Sequence, residues 1–94
     1  MTHDAAFYFS NLGADVSRCV SAAKQGNESR YEDSLARAYR TLEELHKTSR
    51  PEAYEEGLLM LRGLALARKA PETLAAFQTS LDSLISVFSA RLAV

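Results

Sequence analysis

The chain has 94 residues, with 11 Lys and Arg against 12 Asp and Glu, so its formal net charge at neutral pH is −1. This length suits a single domain over residues 1–94, and the balance of charge argues against a nucleic acid or an anionic membrane surface as the partner. The first residues show no basic segment followed by a long apolar run, so we expect no secretory signal and a cytoplasmic protein.

Turn-forming residues divide the chain into four predicted helices, near 4–24, 28–47, 51–69 and 71–92. Gly26 can take the left-handed conformation that ends the first helix, and Asn27 can cap the second. Pro51 and Pro71 suit first helical positions, where the missing amide hydrogen of proline is not needed, and Ser49 is the expected cap of the third helix. Because the connections are short, consecutive helices should be antiparallel neighbours.

Apolar residues recur at spacings of three and four in the first, second and fourth helices, which predicts one buried stripe on each. The predicted stripes are Ala5, Phe9, Leu12, Val16, Cys19 and Ala23; Tyr31, Leu35, Ala38, Leu42 and Leu45; and Leu74, Phe77, Leu81, Leu84 and Phe88. Cys19 is the only cysteine, and its place in a stripe predicts a small buried apolar residue rather than a reactive thiol. We therefore expect an all-α fold, an antiparallel up-down-up-down four-helix bundle that forms dimers.

The third predicted helix carries apolar residues on more than one face. Its expected inward face consists of Tyr54, Leu58, Met60, Leu61, Leu64, Ala65 and Ala67. Leu59 and Leu66 fall on the opposite side, with Gly63 beside them and Glu55 and Arg62 along the edge. One interpretation is a subunit contact, in which Gly63 permits close approach and Glu55 meets Arg62 of a two-fold-related copy. The alternative is that the fourth helix, or the aromatic residues near the N-terminus, cover this strip within the chain.

The outer faces of the other helices differ in charge. Helix two pairs acids with bases at four-residue spacing, as in Asp33 with Arg37, which is typical of a face in water. Small residues form a stripe on each terminal helix, and these stripes could pack on each other, on another chain, or simply face water. They are Ser10, Ala14, Ser17 and Ser21 on the first helix, and Ala76, Thr79, Ser83, Ser86 and Ala90 on the fourth.

Few residues indicate a catalytic or metal-binding site. The two histidines lie far apart in sequence and Cys19 belongs to a predicted buried stripe, so no metal or other cofactor is expected. The segment from Arg40 to His46 resembles the Arg-x(4–6)-His signature of the HEPN ribonuclease superfamily. That resemblance implies a dimeric helical bundle in which Arg40 and His46 of two protomers cleave RNA without a metal, with His as acid or base and Arg stabilising phosphate charge. On the residues alone, Arg40 can instead pair with Glu44, and His46 favours the negative end of the second helix.

The preferred interpretation is a non-enzymatic interaction module, either a homodimer or a chaperone-like adaptor for a helical partner. The segment from Gln25 to Asn27, followed by Tyr31, resembles the turn of tetratricopeptide hairpins, which implies a groove that holds a partner helix. A bundle core can also hold an apolar small molecule. The predicted contact residues are Glu55, Leu59, Arg62, Gly63 and Leu66, and the HEPN-like ribonuclease is the alternative function.

Overall fold

The computed structural model describes residues 3–92, which form four α-helices and contain no β-strand. The helices are α1 (Ala5–Gln25), α2 (Glu28–His46), α3 (Pro51–Lys69) and α4 (Leu74–Leu92), and a 3₁₀ turn spans Pro71–Thr73. The predicted all-α fold class is therefore confirmed. The predicted boundaries agree closely except at the start of α4, where Pro71 opens the 3₁₀ turn before the α-helix begins.

The connection between α1 and α2 is short because each helix end is satisfied locally. Gly26 adopts the left-handed conformation, with φ 69°, and its amide donates to the carbonyl oxygens of Ala22 and Ala23. Asn27 Oδ1 accepts a hydrogen bond from the amide of Arg30 at 3.1 Å, which caps α2. Both predicted roles, the glycine that ends one helix and the asparagine that opens the next, are confirmed.

The start of α3 corrects one predicted cap. Pro51 occupies the first helical position, as predicted, so Arg50 rather than Ser49 is the N-cap, and no side chain caps this end. The proline decides this register, because the N-cap is the residue directly before the first helical one. At the start of α1, Asp4 Oδ1 accepts a hydrogen bond from the amide of Phe7 at 2.9 Å. This cap was not predicted.

The core forms around α1, which packs against α2, α3 and α4. Most members of the three predicted stripes are buried, and the half-buried ones are Ala23, Leu35, Phe77, Leu84 and Phe88. The largest side chains that are fully enclosed are Phe9, Leu12, Val16, Cys19, Val20, Leu45, Leu64 and Leu81. Because α4 supplies three of the half-buried residues, it is less completely enclosed than α1.

Two polar contacts join α1 to α4 along their length. Ser10 Oγ lies 3.3 Å from Ser89 Oγ, and Ser17 Oγ accepts from Gln78 Nε2 at 3.1 Å. The small-residue stripe of α1 therefore packs in part on α4, one of the predicted options. The corresponding stripe on α4 is exposed.

The inward face of α3 differs from the predicted one. Leu58 and Ala65, predicted to face the core, are exposed, whereas Gly57 is buried. A Cβ atom at Gly57 would lie only 2.8 Å from side-chain carbons of both Leu12 and Leu42. Gly57 therefore lies where α3 packs tightly on side chains of α1 and α2, and because this side of the helix faces inward, Leu58 turns outward.

Candidate functional site

Three of the six large hydrophobic side chains that are exposed within residues 3–92 lie on one face of α3. Leu58 is 43% exposed, Leu59 55% and Leu66 62%. Glu55 and Arg62 are exposed among them, and we call these five residues the outer α3 surface. Neither α4 nor the N-terminal aromatic residues enclose it, so the alternative in which this strip is covered within the chain is wrong.

Glu55 and Arg62 lie at the centre of the outer α3 surface rather than at its edge. Seven positions separate them, which is about two helical turns, so their side chains point in nearly the same direction. Successive steps of about 100° put Leu58 on one side of this charged row and Leu59 and Leu66 on the other. A shallow cavity of about 400 Å³ is lined by Glu55, Leu58, Leu59 and Arg62. Within residues 3–92 neither charged residue joins an ion pair.

Gly63 has a different role from the predicted one. It is half-buried, and a Cβ atom there would lie 2.8 Å from Phe77 Cε1. The close approach that this glycine permits is therefore used within the chain by an aromatic ring of α4, and its role in a subunit contact stays a prediction.

An apolar cleft beside Gly63 separates α3 from α4, and we call it the α3–α4 groove. Its volume is about 390 Å³. It is lined by Gly63, Leu66, Ala67, Ala70, Thr73, Ala76, Phe77 and Ser80. No charged side chain is among them, and Leu66 joins the groove to the outer α3 surface.

The two residues of the ribonuclease interpretation stay separate. Arg40 and His46 are both exposed, and the His46 imidazole stacks on the Tyr54 ring with a centroid distance of 3.9 Å and an interplanar angle of 14°. Side chains six positions apart on a helix point about 120° away from each other. Glu44 accepts a bond from Lys47 Nζ at 3.3 Å rather than pairing with Arg40 as predicted. A shared site would have to combine Arg40 of one copy with His46 of another, and it stays a prediction.

One polar group of the interior was absent from the predicted sites. Asp15, on α1, is only 2% exposed. Its Oδ1 accepts from Arg18 Nη1 at 2.8 Å, and its Oδ2 accepts from Thr41 Oγ1 of α2 at 3.1 Å. Each carboxylate oxygen thus has a partner, as a buried charge requires. The sequence signal was available, because Asp15 follows Leu12 by three positions and so shares the buried side of α1.

Cys19 is buried and free, as predicted. Burial and, to a smaller extent, the nearby Asp15 carboxylate raise the pKa of its thiol to about 11, although the Arg68 guanidinium offsets part of this effect. Arg68 lies 3.8 Å above the centre of the Tyr31 ring and forms an ion pair with Glu28. This arrangement keeps Cys19 protonated and enclosed, which makes it a packing residue rather than a nucleophile.

The raised pKa of Cys19 predicts a stability loss at high pH. The unfolded thiol, with a pKa of 9.0, ionises before the folded one, so the stabilising contribution is present below pH 9 and is lost as the pH rises toward about 11. Chemical denaturation of the natural chain and of Cys19→Ala at each pH isolates this effect. We expect the difference in unfolding free energy to fall by up to roughly 1.4 kcal/mol per pH unit between pH 9 and about 11. A constant difference across this range would contradict the prediction.

Within residues 3–92, no helix has the length and apolar character to cross a lipid bilayer. The same residues contain no group of three or more His, Cys, Asp or Glu side chains arranged to hold a metal ion. No protein-family model, curated protein or solved structure matches the chain.

Proposed function

We propose that this protein is a non-enzymatic interaction module of the cytoplasm, an up-down-up-down four-helix bundle that forms a homodimer through the outer α3 surface. The observation that carries the proposal is the exposure of Leu58, Leu59 and Leu66 on a helix whose other face is already buried in the core. Apolar side chains grouped on one exposed face favour association, because a partner removes them from water. The buried, free Cys19 fits a reducing compartment.

Contacts between the helices support the proposed topology. Ser10 near the start of α1 meets Ser89 near the end of α4, and Arg68 near the end of α3 pairs with Glu28 at the start of α2. In each pair the beginning of one helix lies beside the end of the other. Together with the short connections, these contacts favour helices that alternate in direction.

Charge complementarity favours a second copy as the partner. If two α3 helices cross a two-fold axis in antiparallel fashion between Leu58 and Leu59, position 55 of one copy lies opposite position 62 of the other. Glu55 then faces Arg62 twice, since a two-fold contact repeats every interaction. The leucines around the axis pack together and partly desolvate both ion pairs, which strengthens them relative to pairs in open water.

The double substitution Leu59→Lys and Leu66→Lys tests the proposal. The natural chain is expected to have twice the 10.4 kDa chain mass in multi-angle light scattering, and the variant the mass of one chain. Its helical circular dichroism should be unchanged, because both leucines lie outside the core. A matched control adds the same charge on α2 by Ala36→Lys and Tyr39→Lys, both at exposed positions, and should leave the dimer intact.

Reversing the charges tests the orientation. Glu55→Arg or Arg62→Glu alone puts like charges opposite each other and should weaken the dimer, whereas the two changes together restore opposite charges and should recover it. A natural chain that is monomeric at all concentrations would contradict the homodimer. A dimer that persists in the Leu59→Lys, Leu66→Lys variant would show that another surface holds it together.

The α3–α4 groove favours a second candidate, an adaptor that binds an apolar helix of another protein. The groove is apolar, has small residues along it, and meets the outer α3 surface at Leu66. Small residues let a helix approach closely, and such a helix would place its apolar residues at positions i, i+3, i+4 and i+7. A monomeric natural chain that binds amphipathic helical peptides, and loses this binding on Leu66→Lys, would favour the adaptor over the homodimer.

A further inference from the structure

A small polar cavity lies between α1 and α2, away from the outer α3 surface. Its volume is about 220 Å³. It is lined by Asn11, Ala14, Asp15, Arg18, Arg37 and Thr41. These side chains bring together two guanidinium groups, one carboxylate, one amide and one hydroxyl, and the proposed dimer contact uses none of them.

Asp15 holds one of the two arginines in place. The buried carboxylate binds Arg18 through Oδ1 and Thr41 through Oδ2, so its position is fixed from both helices. Arg18 is itself about half exposed, with one edge of its guanidinium on Asp15. A guanidinium carries five N–H donors in a planar fork, so donors of Arg18 are left for another acceptor.

Arg37 gives this cavity an excess of positive charge. The two guanidiniums carry two positive charges, and Asp15 carries one negative charge. Within residues 3–92 Arg37 joins no ion pair, although Asp33 lies one turn away on the same helix and was the expected partner. One positive charge in the cavity is therefore uncompensated.

From this geometry we propose that the cavity binds a small oxyanion, with a carboxylate or phosphate group as the shared chemistry. Arg37 and the free edge of Arg18 donate to its oxygens, and the side-chain amide of Asn11 supplies a further donor. Asp15 and Thr41 are the more buried residues of the lining, and the two Asp15 oxygens are engaged by Arg18 and Thr41, so Asp15 acts by positioning Arg18. A volume of about 220 Å³ suits a small molecule rather than a chain segment.

Titration of the isotopically labelled protein with sodium phosphate and, separately, sodium acetate tests this site. Sodium chloride keeps the ionic strength constant, and backbone and arginine side-chain resonances are followed by NMR. We expect saturable shifts grouped around Arg18 and Arg37, and binding roughly tenfold weaker in Arg37→Ala, the effect of losing one charge-assisted hydrogen bond. Shifts with both anions would indicate recognition of any oxyanion group, and shifts with phosphate alone a phosphate site.

Arg40→Ala is the matched control, because it removes the same charge from the same helix outside the cavity. It should leave the affinity unchanged. The proposal is overturned if neither anion gives saturable shifts, or if Arg40→Ala weakens binding as much as Arg37→Ala does. Since no residue of the outer α3 surface is involved, the outcome is independent of whether the protein forms a dimer.

Discussion

Replacing Leu42 by Asp is expected to unfold the protein at room temperature. Leu42 is buried on α2 and packs beside Gly57 of α3. Removing a buried leucine side chain costs roughly 2–5 kcal/mol, and a buried carboxylate without a partner adds several kcal/mol more. A domain of this size has a total stability of about 5–15 kcal/mol, so the sum is comparable with all of it. Far-ultraviolet circular dichroism should report the loss of helix.

Leu59→Asp is the matched control for this prediction. The same change of side chain is made at a position that is 55% exposed, where the carboxylate stays in water. Helical content should be retained, and only the mass in solution should change. If Leu42→Asp stayed folded, or if both variants unfolded alike, the separation between a buried inner face and an exposed outer α3 surface would be contradicted.

The helices could be predicted from the sequence because their ends depend on local chemistry. Gly26 takes positive φ and Asn27 offers a side-chain acceptor, and neither role needs information from distant residues. Pro51 likewise fixes the start of α3. Ser49 was predicted as the cap because it is the better capping residue by type. The structure instead follows the register that the proline imposes.

The orientation of α3 could not be predicted from apolar residues alone. Counting them puts Leu58 and Ala65 inward, since both are apolar and share a broad face. The observed helix turns Gly57 inward instead, because the absence of a side chain there allows α3 to approach Leu12 and Leu42. Tight packing of distant side chains against a helix backbone is a property of the folded structure, and a count of hydrophobic side chains gives a glycine no weight.

The candidate site could likewise be predicted from the sequence only in part. The exposure of Leu59 and Leu66 could be predicted from helical spacing, because both lie on the side of α3 opposite its inward face. Rotating the helix about its axis by a few tens of degrees does not change this. The role of Gly63 did not follow, since it depends on the placement of Phe77 in α4. The burial of Asp15 could have been predicted from its spacing to Leu12, but its partner Thr41, 26 positions away in the chain, could not.

Replacing Gly57 by Val is expected to destabilise the protein by about 3 kcal/mol. A Cβ atom would already lie 2.8 Å from the side chains of Leu12 and Leu42 and 3.5 Å from Leu45 Cδ2, and valine adds two further methyl groups. Overpacking of this kind costs typically 1–3 kcal/mol, and here two buried leucines, Leu12 and Leu42, would have to move. Urea denaturation, which gives both the midpoint and its slope, measures the loss.

Gly63→Val is the matched control, because it places the same side chain on the same helix. The atom that it would meet is Phe77 Cε1, at 2.8 Å, which is the far end of a half-buried ring that can turn toward the solvent. Replacing a helical glycine by valine gains only a few tenths of a kcal/mol in helix propensity, roughly the same amount at both positions, so the difference between the two losses reports the crowding. The loss at position 63 should therefore stay below about 1 kcal/mol. Equal losses at the two positions would contradict the tighter packing around Gly57.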